Sequence, residues 1–199
     1  MVRPEPRAVP IDINARIARR VRELRTNLGI SLADLSSRCD VSRSMLSLIE
    51  REETSATAVL LEKIAGGLGV PLATLFEDPT AGVSPVSRPQ DRVAWRDPQS
   101  GYIRRNISPA NFPSPIYIVD VTFPAGATVA YETSAREVII HQQVWVRKGA
   151  IEVTVGRITY RLTEDDCLAM QMDQPVTFRN RTRKAAEYMV ALTKGRPRS

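Results

Sequence analysis

The feature that most restricts the fold is a change of hydrophobic period near residue 80. Before it, Leu, Ala and Ile recur at the 3.6-residue spacing of helices. After it, Val, Ile, Tyr and Thr occur in short alternating runs between Gly, Pro and Asp breakers. A chain of 199 residues patterned this way has enough sequence for two small cores, one helical and one built from strands.

Residues 1–12 are rich in Pro and Arg and are expected to form a disordered tail. From Asn14, the apolar positions Ile17, Val21, Leu24 and Leu28 share one helical face, and Gly29 supplies the stop. Ser31 with Asp34 forms a capping-box start for a short second helix that carries Leu32 and Leu35 and ends near Cys39. Ser42 caps a third helix from Arg43 to about Arg51, with Ile49 and either Met45 or Leu46 inward. A fourth helix starts near Thr57 and runs to Gly69, and Pro71 opens a fifth, short element ending at Leu75 and Phe76. The segment 78–91 is dense in Pro, Ser and Gly without periodicity and reads as a linker. Ten short strands are expected beyond it, near 92–96, 102–107, 115–123, 127–132, 138–147, 150–155, 157–162, 167–171, 175–179 and 185–193. Strands at this spacing suggest a jelly-roll barrel, which buries most of its edges.

Charge narrows the partners only when it is located. The net charge is +6, yet residues 1–80 carry 11 basic and 11 acidic side chains, so the surplus lies in the second half. Within 14–51, eight Arg face only Glu23, Asp34, Asp40 and Glu50. Cys39 and Cys167 fall in different halves, which argues against a disulfide and for small buried thiols in a reducing compartment. No apolar run reaches the roughly 18 residues of a membrane span. The first residues lack a signal-peptide core, so the expected location is the cytoplasm.

The stretch LADLSSRCDVSRSMLSLIERE has the form of two short helices joined by a tight turn, the arrangement that lays a second helix in the DNA major groove. Ala33 and Ser36 are the small residues expected where the helices touch, and Val41 is expected to plug the core beneath the turn. The leading face of the third helix then presents Arg43, Ser44 and Ser47. Arg can bond guanine O6 and N7 together, and Ser can serve a base edge or a phosphate. From Arg16 to Phe76 the chain resembles the lambda-repressor-like XRE helix-turn-helix family, through Arg25, Leu28, Gly29, Ser31, Leu32, Leu35, Val41, Ser42, Ser44, Leu46, Ser47, Ile49 and Glu50. The resemblance implies a five-helix DNA-binding domain over 13–77 that binds a double-stranded operator as a two-fold dimer. It further implies base contacts from Arg43, Ser44 and Ser47, with Arg38 and Ser42 near phosphates. Glu50 is expected to pair with Arg25 rather than approach DNA, where phosphates would repel it. Two departures stand out: Leu32 replaces a frequent Gln, and Glu52 sits where Gly is common.

FPAGATVAYE, VWVRKGAIEVTVGRITYRLTEDDCLAM and PVTFRN resemble the cupin fold, which gives a sensor or dimerisation domain over 92–195. Cupins with a metal hold it with two or three His and a Glu. This chain has one histidine, His141; Gln142 falls at the Glu position, Val176 at the second-motif His, and the remaining positions lie between Glu132 and Val138 without a His. No metal and no cofactor are therefore expected. Glu132, Arg136 and Gln142, with Glu137, are the candidates for an altered pocket that leaves room for a small-molecule effector. His141 should face the opposite side of its strand from Gln142, and Trp145 should point outward toward a subunit interface or the linker. The leading expectation is a homodimeric, non-enzymatic transcription regulator. The competing readings are a metal-dependent cupin enzyme carrying a helix-turn-helix, and an antitoxin-like interaction module.

Overall fold

A computed structural model of the protein describes residues 12–78, 80, 82–132 and 138–197. The expected tail lies outside these apart from Asp12, whose carboxylate accepts from Asn14 N at 3.1 Å and caps the first helix. Four α-helices follow: α1 (Ile13–Asn27), α2 (Leu32–Cys39), α3 (Arg43–Glu50) and α4 (Ala58–Gly67). The expected fifth helix is instead a single 3-10 turn, Leu72–Phe76. All five of its side chains are buried, so it has no solvent face on which a longer amphipathic helix could form. Each remaining start is capped as its sequence dictates. Ser31 Oγ accepts from Asp34 N while Asp34 accepts from Ser31 N, Ser42 Oγ accepts from Met45 N, and Thr57 Oγ1 accepts from Leu60 N.

Leu46 and Ile49 are the buried apolar residues of α3 and share the core with Val21, Leu35 and Leu61, while Met45 is half-buried. Val41 lies in the core under the turn, which Asp40 makes by adopting a left-handed conformation at φ 52°. The close helix contact is not at Ala33 and Ser36, of which Ala33 is exposed and Ser36 half-buried. It is between α2 and α4, where a Cβ on Gly67 would stand 2.7 Å from Cys39 Cβ and 3.2 Å from Cys39 N. Burial there pushes the Cys39 thiol up from its ordinary pKa. Cys167, expected inside, is exposed. Gly67→Ala is expected to cost about 1–3 kcal/mol from overpacking, despite alanine's intrinsic helix advantage of about 1 kcal/mol. Urea denaturation reads the difference, and a gain in stability would show that α2 can withdraw without loss.

Residues 82–91 of the expected linker hold only a 3-10 turn, Pro89–Asp91. The ten strands then appear where the alternation placed them: β1 (Ala94–Arg96), β2 (Ile103–Asn106), β3 (Ile116–Phe123), β4 (Thr128–Tyr131), β5 (Val138–Lys148), β6 (Ala150–Val155), β7 (Ile158–Thr163), β8 (Cys167–Gln171), β9 (Val176–Arg179) and β10 (Ala186–Pro197). Every pairing is antiparallel. The strands form a six-stranded sheet ordered β1-β2-β3-β10-β5-β8 and a four-stranded sheet ordered β4-β9-β6-β7, so the expected closed barrel is two separate sheets. Their inner faces meet through aromatic rings. Phe178 of the smaller sheet stacks on Tyr188 of the larger at 5.9 Å, and the Tyr131 and Tyr102 hydroxyls lie 3.3 Å apart.

The two regions share one continuous core. Phe76 of the 3-10 turn packs on Trp95 at 5.3 Å, and Trp95 packs edge-on to Tyr102 at 5.8 Å. Asn106 Nδ2 donates to Ala73 O at 2.8 Å, and Lys63 of α4 pairs with Glu132 at 3.0 Å. Among the described residues, no helix is long and apolar enough to cross a membrane.

Candidate functional site

The first site is the exposed end of α3. Its inner end is fixed by Glu50, which is 7% exposed and accepts from Arg25 Nε at 2.7 Å and Nη2 at 2.9 Å, a bidentate pair that tethers α3 to α1. The pair holds the Arg25 guanidinium above its ordinary pKa through the hydrogen bond to Glu50. Arg22 Nη2 adds a bond to the Glu50 carbonyl at 2.8 Å. With the C-terminal end of α3 clamped, its N-terminal end projects. Ser42, Arg43 and Ser44 are exposed, Ser47 is half-buried one turn along, and Arg38 is exposed on the last turn of α2. Ser42 Oγ already accepts from Met45 N as the cap of α3 and shares a 3.1 Å hydrogen bond with Ser44 Oγ in which either hydroxyl can donate. Among the described residues the Arg43 side chain makes no hydrogen bond or ion pair, and its guanidinium is presented to solvent at the first position of the helix. Just past α3, Glu52 adopts φ 65°, the conformation that explains why a glycine suits this position.

The second site is the interior between the sheets. On β5, Ile140, Gln142, Val144 and Val146 point inward, while His141, Gln143 and Trp145 point out. Gln142 therefore lines the inter-sheet cavity, and His141 and Trp145 do not. Glu132 is displaced from that cavity to the surface, where it holds Lys63; Arg136 and Glu137 lie outside the described residues. The residues that do project inward and were not singled out from sequence are Tyr102, Arg104, Tyr131 and Tyr188. Burial pushes all three phenols up, with the neighbouring Arg104 cation tempering the rise at Tyr102, so they stay neutral at ordinary pH. Arg104 could have been found by parity. In YIRRNI it shares the inward phase of Tyr102, an unusual place for a cation.

This interior does not fit the divalent metal that the cupin likeness implies. Val176 is fully buried at the second-motif position, the one imidazole faces solvent, and beside an arginine cation, neutral phenols and an amide the lining offers one carboxylate, Glu62, too few ligands for such an ion.

The chain belongs to the helix-turn-helix family HTH_3, whose model matches residues 21–75. It is 40% identical over 73 residues to the HTH-type transcriptional regulator SutR of Escherichia coli (strain K12), across 37% of this chain and 41% of that one. It thus spans less than half the length of that relative. It is also 34% identical over 68 residues to Control protein C.MunI of a Mycoplasma species, across 34% of this chain and 92% of that protein. Among solved structures, an HTH_3 family transcriptional regulator from Vibrio cholerae shares the fold over 92% of this chain and 98% of its own, with a TM-score of 0.74 at 24% identity. A Cupin_2 domain of an XRE family transcriptional regulator from Enterobacter cloacae aligns over 50% of this chain and 100% of its own, with a TM-score of 0.41 at 17% identity.

Proposed function

We propose that the protein is a sequence-specific DNA-binding transcription regulator that reads an operator with the leading face of α3. The observation that carries this reading is the geometry of α3 itself. One end is locked by the buried Arg25–Glu50 pair, and the other presents Arg43, Ser44 and Ser47 outward with Arg38 beside them. A clamped helix with a free cationic tip is what major-groove entry requires. Arg43 is assigned to a guanine edge, Ser44 and Ser47 to base edges or phosphates, and Arg38 and the Ser42 hydroxyl to the backbone. The relatives' descriptions as transcription regulators and as a control protein support the same role.

In this reading the helical domain spans 13–77, the segment 78–91 links it to the β region, and the β region over 92–195 pairs two chains and holds a small-molecule effector. Pairing fixes the separation of two recognition helices, which a two-fold operator sets at about 34 Å. The outer face of the larger sheet suits a second copy, since it exposes Trp145 at 43% and Ile116 at 53%, with the small side chain of Ala191 on the strand between them and Ala169 on the edge strand beyond Trp145.

The test is fluorescence anisotropy on a fragment recovered by genome-wide mapping of bound DNA. Arg43→Ala is expected to weaken binding by about 1–3 kcal/mol and to relax preference at one base pair in each half-site. Affinity and preference equal to wild type would remove Arg43 from the contact. Failure of the wild type to retain any genomic fragment would overturn the regulator reading.

A further inference from the structure

The inter-sheet cavity has a volume of about 70 Å³ and reaches the helical domain, which closes it with Glu62 of α4 and with Pro71 and Leu72 at the 3-10 turn. On the measure by which one water needs about 10–15 Å³, it accommodates roughly five waters, or one molecule of about that many non-hydrogen atoms. Its walls are apolar and aromatic apart from a few convergent donors and the Glu62 carboxylate at the roof, the usual character of a small-molecule site.

One of those donors lacks a counterpart. Arg104 is only 6% exposed, and its Nε has no hydrogen-bond partner. A buried guanidinium with an open N–H is costly unless an acceptor, best an anion, completes it. The neighbouring Tyr102, Tyr131 and Tyr188 are held neutral by burial; one proton of the Tyr102–Tyr131 pair bridges the two hydroxyls at 3.3 Å, which leaves the other and that of Tyr188 to donate to the same oxygen atoms. Glu62 closes the roof with an interaction of its own and is not an open acceptor for the site. The set is therefore rich in donors around one cation, with Phe123 and Phe178 to enclose a short apolar body.

The same arginine touches the helical domain. Its guanidinium carbon lies 4.5 Å above the centre of the Phe76 ring, and Phe76 packs on Trp95. An anion that draws Arg104 toward the cavity competes with this cation–π contact, which is one of the contacts docking the 3-10 turn on the sheet.

We infer that the cavity binds a small organic carboxylate through Arg104 and the tyrosine hydroxyls, and that occupancy loosens the Arg104–Phe76 contact and thereby the seating of the helical domain. This rests on the effector-binding role proposed above for the β region.

The experiment titrates the full-length protein by calorimetry with butyrate and with butyramide, which has the same shape without the charge. For so few atoms, binding in the millimolar range is expected for butyrate, with butyramide at least tenfold weaker. Arg104→Gln should reduce butyrate affinity at least tenfold, and Arg104→Lys should restore part of it. Equal binding of butyrate and butyramide by the wild type, or no saturable heat from butyrate, overturns the ligand assignment without reliance on any variant. In a Trp145→Phe background, butyrate should shift the emission of Trp95, and an unchanged spectrum at saturation overturns the coupling. None of these readouts involves DNA. A chain that binds butyrate yet retains no duplex would overturn the regulator reading alone.

Discussion

Arg25→Met is expected to destabilise the protein by about 3 kcal/mol, a large share of the roughly 5–15 kcal/mol that holds a typical domain. Glu50 sits with 5% of its side chain exposed, and Arg25 supplies both of its short bonds. Removing the arginine leaves a buried carboxylate whose remaining cation is Arg22, 3.6 Å away and more than half exposed. That partial partner places the loss at the lower end of the range for breaking a buried pair. Arg25 also donates to Ile30 O at 3.0 Å, so the loop that leads into α2 loosens as well. The double variant Arg25→Met with Glu50→Leu should recover most of the loss, because the cost lies in the stranded charge rather than in absence of the pair. Urea unfolding followed by circular dichroism compares the three proteins. A single variant within about 0.5 kcal/mol of wild type would mean that Glu50 reaches water. DNA affinity should fall alongside stability, since the pair is what clamps the inner end of α3.

That pair was legible in the sequence because the resemblance places Arg25 and Glu50 in one helical unit and a carboxylate at Glu50 would be repelled by phosphates. The ten strands were legible for a different reason: inward and outward residues alternate cleanly, as Val144, Trp145 and Val146 do. What escaped was contact between units. Gly67 reads as an ordinary helix-weakening glycine until α4 is laid on Cys39 of α2. Parity turns Arg104 inward, but its cover, Phe76 from a segment 28 positions earlier, is not displayed by its own strand. The positions of a metal motif outline the wrong pocket: of its described members Gln142 lines the cavity and Glu132 does not. Glu132 followed the motif but not the geometry, because Lys63 of α4 lies close enough to hold it outside. A sequence encodes local phase directly, whereas docking of one region on another depends on surfaces that no single segment displays.

The docking itself should be most sensitive at Asp97, where Asp97→Ala is expected to cost about 3 kcal/mol. Its carboxylate is 2% exposed and bridges the two regions: one oxygen accepts from Ala58 N at 2.8 Å, and the other accepts from Ser100 N at 2.8 Å and from the Ser100 hydroxyl. Ala58 opens α4, so a negative charge borrowed from the β1–β2 turn stands at the positive end of a helix in the other region. An exposed helix cap is worth about 1 kcal/mol. Here the truncation also strands two backbone N–H groups in a dry interface, each costing about 1–3 kcal/mol. Asp97→Asn keeps an acceptor for Ala58 but offers N–H where Ser100 N must donate, and should lose about half as much. Ser100→Ala removes the hydroxyl bond to Asp97 and the 3.4 Å bond from Tyr102 N while leaving Ala58 N and Ser100 N their acceptors, and serves as the control for the turn. Trp95 stands two residues away against Phe76, so its fluorescence in a Trp145→Phe background follows the interface during unfolding. If the regions are held together at Asp97, the alanine variant should show the Trp95 signal changing at lower urea than the helical circular dichroism signal, with the wild type showing one transition for both. Coincident transitions in the variant would place the whole effect inside the turn, and α4 would then owe its seating to Phe76 and Arg104 instead.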